Sequence, residues 1–232
     1  MRRLDGASTA DVAMVGEVTS LINEVYGISD TGVTLDSPRL ASSDVHGMLV
    51  RGELIVAEQE ETEEVEEVVM QEEGSGKGWA AENEGAGSAR GCGGEARPRL
   101  VGCVQVEVKG EGVNAGLPTS GNDTVGEFSC LAVRAFDGHD GAPTARGVGS
   151  ALVRASEAYC RSRGCGVMQM GILCPAAEEP PYKQWLQTWY RRLGYEHRET
   201  LMLQFEPDEV NAMYACLRQK VPCKYILFDK RL

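Results

Sequence analysis

From Glu58 to Arg97 the chain carries a stretch that no folded core can use. Nine glutamates and no lysine or arginine lie between Glu58 and Glu73, and Gly74 to Gly94 is Gly-rich with Trp79 as its one aromatic residue. Such a segment buries too little apolar surface to offset the entropy of ordering it, so residues 59–98 read as a disordered acidic and Gly-rich insert. The fold must therefore come from the residues on either side. Glu58 to Pro98 holds 12 acidic and 3 basic residues, which places -9 of the formal net charge of -12 here. The rest of the chain is nearly neutral. That balance argues against nucleic acid as a partner. The bland role for the insert is a solvated spacer, and the sharper one is a docking tail for a basic partner.

With the insert set aside, 42% hydrophobic residues in 232 suffice for one core, so the expectation is a single domain over 1–232. No apolar run is long enough to cross a bilayer, so no membrane association is expected. Met1-Arg2-Arg3-Leu4-Asp5 is followed by no apolar signal region. A cytoplasmic protein is the expectation, with the nucleus open. Of the eight cysteines none forms C-x-x-C, and His46, His139 and His197 stand far from them in sequence. Zinc-site spacing is absent, and reduced thiols with no metal are expected.

Ser8-Thr9 followed by Val12, Val15, Val18, Leu21, Ile22 and Val25 predicts a capped amphipathic helix that stops at Gly27. Ser42-Ser43-Asp44 opens a second, short helix. Glu53 to Ala57 and Leu100 to Val108 read as strands, with the insert as an enlarged hairpin loop between them. A loop over Gly110 to Thr124 leads to a strand at Glu127 to Val133. A helix then runs from Arg146 to about Arg163, followed by a strand at Val167 to Leu173 and a helix at Tyr182 to Leu193 closed by Gly194. The chain ends with a strand at Thr200 to Phe205, a helix at Asp208 to Leu217 and a strand at Tyr225 to Phe228. Early hairpins and later helix crossovers make this a mixed α/β (α+β) domain.

Gly147 and Gly149 fall where a loop becomes a helix. Free N–H groups and the positive end of the helix dipole make such a turn an anion site, to which Arg146 adds charge. The alternative is a tight turn that serves only close packing. A nucleoside-triphosphate loop is excluded because no Gly-Lys-Ser/Thr is present. A dinucleotide fingerprint is excluded because Leu152 fills its third small position.

The strand, the turn Thr144 to Gly149 and Tyr190-Arg191-Arg192-Leu193-Gly194-Tyr195 together resemble the GCN5-related N-acetyltransferase family. That family places a strand before Gln/Arg-x-x-Gly-x-Gly/Ala at a helix start, and Tyr-x-x-x-Gly-Phe/Tyr on a later helix. Leu21-Ile22-Asn23 and Gly52 to Glu58 fit its early elements, so the likeness spans the chain apart from the insert. Two positions depart: Thr144 stands where the family prefers Arg or Gln, and Lys183 where an Asn is common. The resemblance implies a mixed, mostly antiparallel twisted sheet flanked by helices and splayed between the fourth and fifth strands. It further implies acetyl-CoA as co-substrate, held by the backbone of Leu131, Ala132 and Val133 and by the amides of Thr144, Ala145, Arg146, Gly147, Val148, Gly149, Ser150 and Ala151. Transfer to a primary amine would be direct, in a ternary complex. Glu127 matches the general base and Tyr190 the general acid for the CoA sulfur. The bland alternatives are a solvated strand-end carboxylate and a packing aromatic. An acetyl-cysteine route through Cys130 is disfavoured, because the family needs none. A small-molecule amine is the favoured acceptor, and a basic peptide acetylated on lysine or its N-terminus is the alternative. A non-catalytic acyl-CoA sensor would need neither Glu127 nor Tyr190. Oligomeric state stays open.

Overall fold

The computed structural model describes residues 1–29, 38–59, 98–109, 124–134, 147–203 and 221–232. The chain divides into two units, Met1–Glu58 with Leu100–Leu232, and Gln59–Arg99. The expectations of a disordered insert, of a loop before Thr124 and of a helix at Asp208 to Leu217 lie outside the described residues.

In the first unit the described strands are β1 (Arg2–Arg3), β2 (Leu54–Gln59), β3 (Arg99–Lys109), β4 (Val125–Val133), β5 (Val167–Pro175), β6 (Glu196–Leu203) and β7 (Cys223–Arg231). The helices are α1 (Thr9–Ala13), α2 (Val15–Ser29), α3 (Ser42–Val50), α4 (Val148–Ser162) and α5 (Pro181–Arg192). One sheet results, in the order β1-β2-β3-β4-β5-β7-β6. The pairings of β1 with β2, β3 with β4, β5 with β7 and β6 with β7 are antiparallel, and β4 with β5 is parallel.

Alternation sorts the strand side chains onto two faces. Ile55, Ala57, Val106 and Phe128 pack with Leu152, Val153 and Cys160 of α4 and Tyr190 of α5. Leu54, Val56, Leu100 and Cys103 pack instead with Val18, Leu21 and Ile22 of α2 and Val45 and Leu49 of α3. Each such aliphatic side chain, fully buried, contributes about 1.5–3 kcal/mol. The alternation flips inside β4. Phe128 joins the first cluster, whereas Cys130 and Ala132 join the second. The cause is a bulge, where the β3–β4 register shifts between Cys103 and Gln105 and Cys130 takes φ of 49°.

Three readings of the sequence need correction. The first helix is two, because the chain turns at Met14, whose N–H donates to the Asp11 carbonyl at 3.1 Å. The second of these does not stop at Gly27 but runs to Ser29. A short strand at Arg2–Arg3 also went unread. It is held by the Leu4 amide donating to the Leu54 carbonyl at 2.9 Å and by Arg2 pairing with Asp11 and Glu58.

Candidate active site

The parting of β4 from β5 creates the site. Their pairing runs from Val125 opposite Val167 to Glu127 opposite Gln169, and among the described residues it goes no further. From Phe128 onward β4 therefore has a backbone edge on that side unpaired with β5. A cleft with a cavity volume of about 660 Å³ opens there.

Two glycines seat α4 across the neighbouring strands. A Cβ on Gly126 would lie 2.4 Å from the Cys160 sulfur, and one on Gly102 would lie 3.0 Å from Leu152 Cδ1. At Gly126 a side chain would force the helix or its neighbours to shift, and at Gly102 it would be tight. The helix N-terminus consequently lies at the cleft, where Gly147, Gly149 and Ser150 are lining residues together with Leu131 and Val133 of β4. Gly147 caps the helix with φ of 87°, a left-handed conformation that glycine adopts without strain. The Ala151 amide is engaged by the Gly147 carbonyl at 2.9 Å, so the first helical bond is already made there. The donors left by helix geometry are the amides of Val148, Gly149 and Ser150. Ala132, between Leu131 and Val133, is fully buried and is not among the cleft-lining residues. Thr144, Ala145 and Arg146 lie outside the described residues.

Glu127 and Tyr190 line the same cleft. Tyr190, at 5% exposure, sits in an aromatic corner with Phe128, Tyr195 and Trp189 at centroid distances of 5.9, 6.0 and 4.7 Å. Sequence explains the corner. Gly194, with φ of 90°, lets the chain reverse after α5, and the Tyr195 amide returns to the Tyr190 carbonyl at 3.1 Å. The Tyr195 hydroxyl then donates to buried Glu157 at 3.0 Å, and Lys230 donates to the same carboxylate at 2.9 Å. Burial, reinforced by Tyr182 and Tyr225, holds the Tyr190 phenol well above the ordinary phenol range.

Glu127 is not a solitary strand-end carboxylate. Lys109 donates to it across the β3–β4 pair, and Glu107 stands directly opposite it in register. Glu107 accepts from Gln105 at 2.6 Å, while Gln105 also donates to Glu53 at 3.1 Å and accepts from Ser129 at 2.9 Å. Burial, with Glu53 next in effect, raises the Glu107 carboxyl above the usual carboxylate range, against the pull of Lys109. Gln105, Glu107 and Lys109 line the cleft. Sequence reading missed them, although their i, i+2, i+4 polar spacing at the end of an otherwise apolar strand was a usable signal.

Cys103, Cys130, Cys160, Cys165, Cys174 and Cys223 are buried thiols that form no disulfide. Burial pushes the Cys160 thiol up to about 12 and the Cys174 thiol up to about 11. Among the described residues no group of three or more His, Cys, Asp or Glu side chains is placed to hold a metal ion.

No protein-family model matches the sequence, and no curated protein matches it either. Solved structures do. A ribosomal-protein-alanine N-acetyltransferase from Brucella melitensis superposes with a TM-score of 0.53 at 14% identity, covering 100% of this chain and 98% of its own. NAA60 of Arabidopsis thaliana, solved in complex with acetyl-CoA, gives 0.52 at 11% identity over 100% and 97%. An agmatine N-acetyltransferase gives 0.51 at 13% identity over 95% and 96%. Identities this low speak for architecture, and the architecture is a seven-stranded, mostly antiparallel sheet in which the parallel strands β4 and β5 part beside a glycine-capped helix. This chain has the fold of the GCN5-related N-acetyltransferases.

Proposed function

We propose that the protein is an acetyl-CoA-dependent N-acetyltransferase that transfers the acetyl group to a primary amine. The observation that carries this is convergence. The β4 edge that has parted from β5, the α4 amides, Glu127 and Tyr190 all open onto one cleft. Similar structures include a ribosomal-protein-alanine N-acetyltransferase, an agmatine N-acetyltransferase and a complex with acetyl-CoA.

The chain fits such a co-substrate. Val148, Gly149 and Ser150 offer three amides at the positive end of a 15-residue helix to a pyrophosphate. Leu131, Ala132 and Val133 offer backbone donors and acceptors to the amides of a pantetheine arm. Acetyl-CoA supplies the activated thioester. Glu127 accepts the proton the amine sheds, after exchanging its contact with Lys109 for one with the acceptor. Tyr190 gives its hydroxyl proton to the sulfur as the C–S bond breaks. The acceptor end is lined by Glu107 and Glu127, which suits an amine that arrives as a cation. A small-molecule amine remains the favoured acceptor, and the acidic stretch from Glu58 to Glu73 supports a basic peptide as the second reading.

A thiol-detecting CoA-release assay across small amines and Lys/Arg-rich peptides, paired with thermal shift, tests the proposal. Acetyl-CoA should raise Tm and at least one amine should release CoA. A Tm that responds to acetyl-CoA with no amine turned over would favour the sensor. No response to acetyl-CoA would overturn the assignment.

A further inference from the structure

Gln169 of β5 breaks a rule that buried polar groups obey. Its side chain is 2% exposed, yet neither its amide nitrogen nor its amide oxygen has a hydrogen-bond partner among the described residues. A buried polar group left unbonded carries the full cost of its desolvation, and native folds hold few of them. A methionine would fill nearly the same space without that cost. The amide therefore points to a partner that the resting arrangement withholds.

Register identifies the partner. Glu127 and Gln169 form the last pair of β4 with β5 before the strands part, so their side chains leave the sheet on the same side. That side faces away from α4 and α5, because the flanking Phe128, Met168 and Met170 belong to the core beneath those helices. The Glu127 carboxylate is drawn the other way, to Lys109 of β3. Asp229, opposite Gln169 on β7, is engaged by Arg198 at 3.3 Å. Glu127 lines the cleft and Gln169 does not, so Gln169 meets the reaction through Glu127. Resting on the transferase reading above, we propose that Gln169 is the positioning residue for Glu127: as the acceptor amine takes the place of Lys109, the carboxylate swings from β3 toward β5 and accepts a hydrogen bond from the Gln169 amide N–H. The swing carries the base toward the parted strands, and the new bond holds it ionised until it takes the amine proton. The other charged groups about Glu127 are Glu107 of β3, with Glu53 joined to it through Gln105, and Arg39 and Lys183 on the cleft wall.

Steady-state kinetics across pH on the full chain, with thermal melts, test this. Gln169→Met removes both unpartnered groups at nearly constant volume, so Tm should hold or rise by about 2–4 °C while kcat falls about tenfold. The acid limb of kcat, which reports Glu127 in the ternary complex, should move up by about one pH unit. The limb of kcat/KM, which reports the free enzyme with Glu127 on Lys109, should stay in place. In a Glu127→Gln background Gln169→Met should cost no further rate, because the amide acts only through the carboxylate. Gln169→Glu keeps the length but sets a like charge beside Glu127, and should move the kcat limb further up; it decides the matter if the Met variant does not fold. A wild-type kcat limb in these variants, or a rate loss that recurs undiminished in the Glu127→Gln background, would show a structural role and overturn the inference. A wild type that transfers acetyl to no amine would overturn the transferase reading itself, and the positioning role with it.

Discussion

In the proposed mechanism one side chain, Tyr190, serves packing and chemistry together. Its ring belongs to the aromatic corner with Phe128 and Tyr195, while its position on the cleft offers the hydroxyl to a leaving group. Phe keeps the first role and removes the second. Tyr190→Phe should therefore lower kcat about 10²-fold with acetyl-CoA affinity near wild type, measured by steady-state kinetics and calorimetry. Glu127→Gln should depress the rate most near neutral pH and regain part of it at higher pH, where solvent deprotonates the amine. Wild-type rates for both variants across the pH range would sink both assignments. Burial raises the Tyr190 phenol above its unfolded value of about 10, so the unfolded chain releases this proton first. The stability it contributes is complete below that pH and declines as pH rises toward the folded value. Tm of the wild type should accordingly fall more steeply than that of Tyr190→Phe above about pH 10, and parallel curves would show the phenol to be solvated. Gly147 and Gly149 were legible in the sequence as a local turn pattern, and Glu127 and Tyr190 through the family resemblance. The polar i, i+2, i+4 spacing of Gln105, Glu107 and Lys109 marked a polar strand end, but their place beside Glu127 depends on the cross-strand register, which that spacing does not encode.

At the scale of elements, the site depends on how closely α4 lies over the sheet. Gly126 is the tightest point: an added Cβ would also lie 2.8 Å from Cys160 Cβ and 2.9 Å from the Met168 sulfur. Gly126→Ala should destabilise the fold by about 1–3 kcal/mol through overpacking. It should also raise KM for acetyl-CoA, because lifting the helix moves the Val148–Ser150 amides. A thermal melt and a KM determination check the two effects, and an unchanged melt would mean that α4 does not rest on β4 at this residue. The extent of α5 was readable to within a residue at each end, with Gly194 closing it. What escaped was set by tertiary contact. Arg2–Arg3 becomes a strand only because β2 offers an edge and because Asp11, 3% exposed, accepts from Arg2 and from the Asp5 amide at 2.6 Å. Sheet pairing likewise extends β6 and β7 beyond the apolar runs that marked them, since Glu196 pairs with Asp229 and Cys223 with Leu203. Gly27 failed to end α2 because a lone helical glycine costs only about 1 kcal/mol against alanine.

For the whole molecule the question is what the acidic insert does, and charge separates the answers. β2 and β3 are neighbours in the sheet, and the Val106 amide donates to the Glu53 carbonyl at 2.7 Å, so the start of β2 lies beside the second half of β3, as in a hairpin. A hairpin can be closed by as few as two residues. Shortening the connection relieves about 2 kcal/mol of closure entropy. Replacing residues 60–97 by Asn-Gly should therefore leave Tm unchanged or raise it by several degrees, and loss of soluble protein would show that the segment is structural. The same excision moves the formal net charge from -12 to -4. If the insert is only a spacer, kcat/KM is unaffected for every acceptor. If it steers basic peptides, kcat/KM for Lys/Arg-rich peptides falls on excision while that for a small amine holds, because long-range attraction acts on the encounter and grows with the charge of the acceptor. The drop should shrink as salt is added to the intact protein, since screening at 0.15 M already confines the attraction to about 8 Å. A peptide preference that survives excision, or one indifferent to salt, would place peptide recognition in the cleft carboxylates Glu107 and Glu127 instead.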